Sequence, residues 1–400
     1  MTAPVVAAVA RVPRTVWVLG FVSLLMDVSS EMIHSLLPVF MVTSLGASAL
    51  AVGLVEGVAE ATALIVRVFS GTLSDYMGRR KPLAVAGYGL GALSKPLFAL
   101  AVSVQWVFVA RFMDRIGKGI RGAPRDALIA DVTPAEIQGA AYGLRQSLDT
   151  TGAFLGPLAA IALMLFFAGD FRSVFWVAVV PAVLSVALLS FGVHEAARAQ
   201  GIVARQPVRF NFVKHLPPAY WWVVAAGAVF TLARFSEAFL LLRAQAQGLP
   251  DAYAPVVLVL MNAVFAVTAY PMGRLADSFH PVRLLAVGLL VLIAADLTLA
   301  LSSNLSATAA GVALWGLHMG MTQGVLAVMI ARSAPPALRG TAFGVFYLGS
   351  GIAMLIASVV AGFVWDRFGA PVTFYTGAAF ALAAFVLFLL RGSGMAERAA

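Results

Sequence analysis

The amino-acid sequence predicts an all-α membrane protein with twelve transmembrane helices, arranged as two pseudo-symmetric six-helix halves. The first observation behind this prediction is composition: 61% of the 400 residues are hydrophobic, 11% are charged and the mean hydropathy is +0.94. A soluble domain of this length has too little interior to bury so much apolar surface. The second observation is a series of apolar runs long enough to cross a bilayer, and the third is an internal repeat.

A helix needs about 20 apolar residues to cross the hydrocarbon core of a membrane. Runs of this kind begin near residues 15, 49, 83, 105, 138 and 171, and again near residues 218, 252, 282, 306, 338 and 370. They predict an N-terminal six-helix half over residues 1–193, a cytoplasmic linker over 194–217 and a C-terminal six-helix half over 218–400.

Lys and Arg are concentrated in alternate connections between these runs, which follows the positive-inside rule and places both termini in the cytoplasm. The net charge of +9 therefore needs no nucleic-acid partner. The chain has no cysteine, which excludes disulfides and thiol catalysis. It also lacks HExxH, GxSxG and P-loop motifs, so neither an enzyme nor a cofactor nor a bound metal is predicted. We expect a multi-pass protein of the cell (inner) membrane, embedded in the lipid bilayer and functional as a monomer.

Two segments of the first half recur in the second at nearly the same separation. "GTLSD" (71–75) returns as "GRLAD" (273–277), 202 residues later, and "TPAEIQGAAYGL" (133–144) returns as "APPALRGTAFGV" (334–345), 201 residues later. The common offset indicates a duplicated six-helix unit. Parallel repeats of this kind are one known transporter architecture.

The predicted fourth span is unusually charged, with eight charged residues among the 21 from Arg111 to Asp131. If it did not cross, every later loop would change sides and the basic linker would face outward. A charged helix is therefore predicted, with its charges on one stripe at steps of three and four residues. Gly117, Gly119 and Gly122 lie largely off that stripe, where a neighbouring helix can approach closely.

The loop "GTLSDYMGRRKPL" (71–83) resembles the signature that the major facilitator superfamily carries between its second and third helices. The resemblance covers essentially the whole chain and implies a secondary transporter that works by alternating access. It also implies a cytoplasmic gating loop, in which Asp126 or Asp131 can pair with Arg79 or Arg80. The gating residues are Gly71, Asp75, Gly78, Arg79, Arg80, Asp126 and Asp131.

"GAFLGP" (152–157) resembles a fifth-helix motif of exporters that exchange substrate for protons, although the final glycine pair of that motif is missing. The same pattern is also common where membrane helices simply pack closely and kink. Both interpretations remain open for Gly152, Gly156 and Pro157.

Ionisable side chains within spans are costly and usually face a polar pathway. The spacing and depth of these side chains separate proton-coupling candidates from substrate-pathway candidates. Lys95 is a possible partner of the acids in the second span, but a structural role is favoured for it, because the resemblance implies a peripheral third helix. The basic fourth helix either leaves a positive surplus for substrate or is neutralised by carboxylates from neighbouring helices. The proton-coupling candidates are Asp27, Glu31, Asp149 and Glu237; the substrate-pathway candidates are His34, Glu56, Glu60, Arg111, Asp114, Arg115, Lys118, Arg145 and Arg234.

These residues favour a secondary active transporter that moves a small anionic or zwitterionic organic solute. Without a nucleotide-binding module, a proton gradient is the expected driving force, and export by antiport is favoured. The alternatives are proton-coupled uptake of an organic anion or a metal chelate and, more remotely, a membrane enzyme or a membrane protein that does not transport. "LHMGM" (317–321) is a further, weaker candidate for a soft-metal site through His318.

Overall fold

The computed structural model describes residues 12–77, 79–134, 137–193, 216–278, 281–334 and 339–396. Every regular element within these ranges is helical. The twelve predicted spans are confirmed, since each begins within four residues of the start of a helix in the described part of the chain. By length and composition, eight helices among the described residues can cross a membrane.

The first half of the chain forms α1 (Arg14–His34), α2 (Leu37–Thr43), α3 (Ala49–Met77), α4 (Lys81–Ala99), α5 (Val104–Val132), α6 (Gln138–Phe166) and α7 (Phe171–Gly192). The second half forms α8 (Pro218–Leu232), α9 (Ala238–Ala246), α10 (Val256–Ser278), α11 (Pro281–Leu301), α12 (Leu305–Ser333), α13 (Arg339–Phe368) and α14 (Ala370–Ala396). A short 3-10 turn, Asp251–Tyr253, precedes α10.

Two of the predicted spans are interrupted, which the sequence did not predict. The first span breaks between α1 and α2, where Pro38 can neither donate a backbone hydrogen bond nor fit its ring against the preceding turn. The seventh span breaks over residues 233–237, between α8 and α9. There the Ser236 N–H donates to the Ser358 hydroxyl at 3.2 Å, and the Ser236 hydroxyl accepts from the Ala238 N–H at 3.2 Å. Side chains thus satisfy backbone groups that the break frees.

The described residues divide into two compact units, one within Met1–Leu37 and Thr62–Val208 and the other within Pro38–Ala61 and Arg209–Ala400. In the first unit α1 packs on α6 and α7, while α4 packs on α5 and α7. Buried apolar side chains of α1, such as Val16, Leu19 and Met26, form its core with residues of α4, α5 and α7. In the second unit α11 packs on α12 and α14, and α12 also packs on α10.

Candidate transport site

The charged stretch is a continuous helix, α5, as the topology argument predicted, and it runs on through Pro124. Glycines allow it to lie against two neighbours. A Cβ atom added at Gly117 would stand 2.7 Å from the carbonyl oxygen of Gly87 on α4, and one added at Gly119 would stand 3.0 Å from the carbonyl oxygen of Ala63 on α3. The predicted close approach is therefore confirmed at Gly117 and Gly119, whereas the nearest atom to a Cβ atom added at Gly122 is Arg67 Nε at 3.8 Å.

A buried ion pair joins α4 to the charged face of α5. Lys95 Nζ lies 2.7 Å from Asp114 Oδ1, and both side chains are almost completely buried. The other Asp114 oxygen lies 4.0 Å from Arg111 and 3.8 Å from Arg115. The Lys95 ammonium group is held by Asp114 and by the Ser30 hydroxyl at 3.0 Å, which supports the structural role that the sequence favoured for Lys95 over pairing with Glu56 or Glu60.

Asp27 on α1 faces α5 at Arg121, about two turns beyond Asp114 on the charged stripe. Its carboxylate lies 3.8 Å from Arg121 Nη2, a distance that allows attraction but is long for a direct hydrogen bond. The Arg121 guanidinium carbon also lies 5.0 Å from the centre of the Tyr88 ring, within the range of a cation–π contact. Arg121 is thus held by an aromatic face as well as by a carboxylate.

Asp149 on α6 belongs to a second group of charges. It lies 3.0 Å from Arg145 on its own helix and 3.6 Å from Arg125 on α5. Asp126 lies 3.1 Å from Arg125 and 3.7 Å from Arg145, so two arginines and two carboxylates alternate. Arg125 also donates to the Ser23 hydroxyl at 2.8 Å, which links the group to α1. The group therefore connects three helices of the first unit.

The sequence left open whether the basic residues of α5 are neutralised by carboxylates of neighbouring helices or leave a positive surplus. The first unit shows features of both. Glu31 contacts His34 at 3.3 Å, and the other carboxylates contact basic side chains as described above. The formal charges of these groups do not cancel, since eight basic residues stand against five acidic ones, a surplus of three positive charges. The basic residues are Arg67, Lys95, Arg111, Arg115, Lys118, Arg121, Arg125 and Arg145; the acidic residues are Asp27, Glu31, Asp114, Asp126 and Asp149.

The glycines of "GAFLGP" pack α6 against α1 beside its two acids. A Cβ atom at Gly152 would stand 2.7 Å from the carbonyl oxygen of Leu24 and 3.1 Å from the Asp27 Cβ atom. One at Gly156 would stand 2.7 Å from the Glu31 Cβ atom. The motif therefore does pack α6 closely against α1, at the turns of α1 that contain Asp27 and Glu31.

Comparison with known proteins decides the family. The sequence model of the Major Facilitator Superfamily matches residues 19–267 and 238–398, which is most of the chain. The chain belongs to this superfamily. It is a multi-pass, non-enzymatic membrane transporter.

Relatives and solved structures agree with this assignment. The chain is 30% identical to an uncharacterized MFS-type transporter of Methanocaldococcus jannaschii, over 94% of each chain. It is 24% identical to the inner membrane transport protein YajR of Escherichia coli, over 91% of this chain and 80% of the relative. A crystal structure of a mutant of the peptide transporter POT superposes with a TM-score of 0.80 at 14% identity, covering 95% of this chain and 94% of that one, which shows a shared fold.

The signature loop of this superfamily member joins α3 to α4. Arg80 Nε lies 3.0 Å from Asp131 Oδ2 at the end of α5, whereas the Arg79 side chain is exposed. Gly71 packs on α5, since a Cβ atom there would stand 3.5 Å from the Ala123 Cβ atom. Gly78 and the side chain of Asp75 lie outside the described residues.

The remaining candidates of this transporter belong to the second unit. Glu56 and Glu60 lie on the part of α3 that is grouped with it, and Arg234 and Glu237 lie in the break between α8 and α9. His318 is fully buried, and its Nδ1 donates to the Gly288 carbonyl oxygen at 2.8 Å. Within the described residues no three His, Cys, Asp or Glu side chains are grouped as metal ligands.

Sequence reasoning missed Arg67 and Asp296, and it placed Arg121 and Arg125 on the charged stripe without assigning their partners. Arg67 lies 3.9 Å from Asp126, and Arg121 and Arg125 are the partners of Asp27 and Asp149, a role the prediction did not assign to them. Asp296 on α11 was passed over although it is the one acid in the apolar run "LIAADLTLA" (292–300). An isolated acid in a membrane-spanning run was the signal that could have identified it.

Proposed function

We propose that this transporter moves a small anionic or zwitterionic organic solute by alternating access and is driven by protons. The observation that carries the proposal is the pairing of Asp27 with Arg121, and of Asp149 with Arg125 and Arg145, within a group of charges that has a positive surplus. Asp27 contacts Arg121 at 3.8 Å, a distance that favours exchange of this arginine for another ligand, whereas Asp149 contacts Arg125 at 3.6 Å and is held more closely by Arg145 at 3.0 Å.

The chemistry of the solute sets the form of coupling. If the solute carries an ammonium group, that group competes with a proton for Asp27 or Asp149, and competition for one carboxylate produces antiport. If the solute is only anionic, protonation of Asp27 releases Arg121 to bind it, and the proton and solute then travel together. The first form corresponds to export and the second to uptake of an organic anion.

We favour export by antiport. The motif resembling that of proton-exchanging exporters, Gly152–Pro157, packs directly against the helix that carries Asp27 and Glu31. Movement of α6 against α1 would therefore shift both acids, so solute release and proton binding can be linked mechanically. The placement of basic residues in alternate connections supports an inner-membrane protein with cytoplasmic termini, and we propose a functional monomer.

The test starts from the purified full-length protein. Amino acids, short peptides, dicarboxylates and nucleosides are screened for thermal stabilisation, and each stabilising solute is then assayed in proteoliposomes with an imposed pH gradient. We expect accumulation against a concentration gradient only when the pH gradient is present. Coupled proton movement, reported by an internal pH dye, gives the direction.

Variants connect this flux to the proposed residues. Asp27→Asn and Glu31→Gln should abolish concentrative transport while leaving the protein folded, and Asp170→Asn, at an exposed connection outside the site, should transport normally. Uphill flux that is unchanged in both site variants would remove these acids from the mechanism. Accumulation that ignores the pH gradient in the wild type would exclude proton coupling.

A further inference from the structure

Asp296 is a buried acid in the second unit that the proposed site does not use. It lies on α11 with 0% of its surface exposed. Neither carboxyl oxygen makes a hydrogen bond to any described residue. Burying an ionised carboxylate without a partner costs far more than burying the neutral acid, so the group in this environment holds its proton.

The charged and titratable groups around Asp296 are engaged elsewhere. On α12, His318 donates to Gly288, two turns away along α11. Arg243 of α9 donates to the carbonyl oxygens of Leu299, Ala300 and Ser302, next to the end of α11. Arg234 and Glu237 lie in the break, where the Arg234 guanidinium carbon stands 5.8 Å from the centre of the Phe230 ring. Among the described side chains of α14, the one titratable group is the exposed Tyr375.

Asp296 packs closely against α14 and lies near aromatic side chains. A Cβ atom at Gly377 of α14 would stand 2.7 Å from Asp296 Oδ2 and 2.9 Å from Phe235 Cε1, so the carboxyl group and the ring press on the same glycine. Phe235 in turn packs on Trp315 at 5.4 Å and on Phe374 at 5.6 Å between ring centres. A metal ion would require several oxygen ligands, which this apolar shell does not supply.

The internal repeat shows what distinguishes this position. At the offset of 201 residues, Asp296 corresponds to Lys95, and Trp315 corresponds to Asp114. The first unit therefore has a lysine paired with an acid, at 2.7 Å, where the second has an acid beside aromatic rings. In the first unit the charge of Lys95 is neutralised by the opposite charge of Asp114. In the second unit Asp296 is neutralised by binding a proton.

We propose that Asp296 is a proton-binding site, occupied in this conformation, whose proton exchanges with water when the break at residues 233–237 opens. The carboxyl O–H bond then breaks, the proton passes to water and the carboxylate becomes hydrated. Phe235 covers the site and belongs to the non-helical segment of the break, so movement there would uncover Asp296. The role of this proton in driving transport rests on the proposed function, whereas its binding does not.

Infrared spectroscopy of the full-length protein in liposomes tests the proposal without a transport substrate. At neutral pH we expect a protonated carboxylic C=O band that is lost in Asp296→Asn and retained in Asp170→Asn, which alters an exposed acid. Because Asn is a neutral replacement of similar shape, the variant should be as thermally stable as the wild type. A spectrum in which Asp296→Asn removes no protonated-carboxyl band would overturn the proposal.

The exchange route has its own test. Ser358→Ala removes the hydroxyl that accepts from the Ser236 N–H and should loosen the break. The shift of the Asp296 band in heavy water should then be several-fold faster than in the wild type. Thr376→Ala, which removes an exposed hydroxyl from α14, should leave the rate unchanged. Equal rates in Ser358→Ala and the wild type would exclude the break as the route. Failure of pH-driven flux in the wild type would count against the proposed function and leave both infrared results standing.

Discussion

Lys95 Nζ and Asp114 Oδ1 lie 2.7 Å apart and bind the charged helix α5 to its neighbour α4. Both side chains are almost fully buried, 1% and 3% exposed. Asp114 also faces Arg111 and Arg115, so one carboxylate offsets several positive charges. The pair therefore has a structural role within a helix whose other charges serve the proposed transport site.

Breaking this pair should destabilise the protein strongly. Lys95→Met leaves Asp114 with less compensation, and removing one partner of a buried ion pair typically costs about 3–5 kcal/mol. We expect a large fall in thermal stability in detergent, and Asp114→Asn should cost at least as much, because it also takes this carboxylate away from the buried Arg111 and Arg115. A single variant as stable as the wild type would show that the pair contributes nothing.

The packing of α6 on α1 predicts a sharp contrast between glycines of one helix. Gly152→Ala forces a methyl group against the Leu24 carbonyl and Asp27, and such overpacking costs about 1–3 kcal/mol. We expect lower thermal stability together with loss of pH-driven flux. Gly143→Ala is the matched control, because nothing lies within 4 Å of its added Cβ atom and alanine favours a helix. Equal behaviour of the two variants would contradict the assigned role of Gly152.

A carboxylate from α13 caps the first turn of α3. The two Asp366 oxygens accept from the Ala49 and Leu50 N–H groups, each at 2.9 Å. Asp366→Ala removes both acceptors and the favourable interaction with the helix dipole, which together should cost about 1 kcal/mol. Thermal unfolding measures the loss, with the exposed neighbour Arg367→Ala as the control. A larger loss in the control than in Asp366→Ala would exclude the cap as a stabilising contact.

A second cap predicts a dependence on pH. Asp170 precedes α7, and its carboxylate accepts from the Ser173 hydroxyl and from the Arg172 and Ser173 N–H groups. The Ser173 hydroxyl bond is the main cause that lowers the pKa of Asp170 below its ordinary value. A lowered pKa in the folded state means that this stabilisation is present at neutral pH and is lost as the pH falls through the folded-state pKa.

The variant Asp170→Ala should therefore be less stable than the wild type by about 1 kcal/mol at pH 7. The difference should shrink below about pH 4, where the carboxyl group of the unfolded chain is already protonated. Parallel unfolding curves from pH 7 to pH 3 provide the measurement. A difference that grew on acidification would contradict the assigned cap.

The residues of the candidate transport site could be named from the sequence, but their contacts could not. The charged stripe on α5 and the acids Asp27 and Asp149 follow from spacing within single helices, because three- and four-residue steps place side chains on one face. The partner of each charge depends on which helices are adjacent and at what depth. Sequence therefore suggested Glu56 or Glu60 for Lys95, while the packing of α4 on α5 selected Asp114.

The sequence by itself determined the twelve spans, their division into two related halves and the helical state of the charged stretch. These features depend on the length and order of apolar runs, which are local properties that the bilayer requires of any spanning helix. The tertiary structure alone decided where the first and seventh spans break and which glycines bring α1, α4, α5 and α6 close. It also decided that Asp296 is buried with no hydrogen-bond partner among the described residues. Those features arise from contacts between residues far apart in the chain, and no pattern within one helix specifies them.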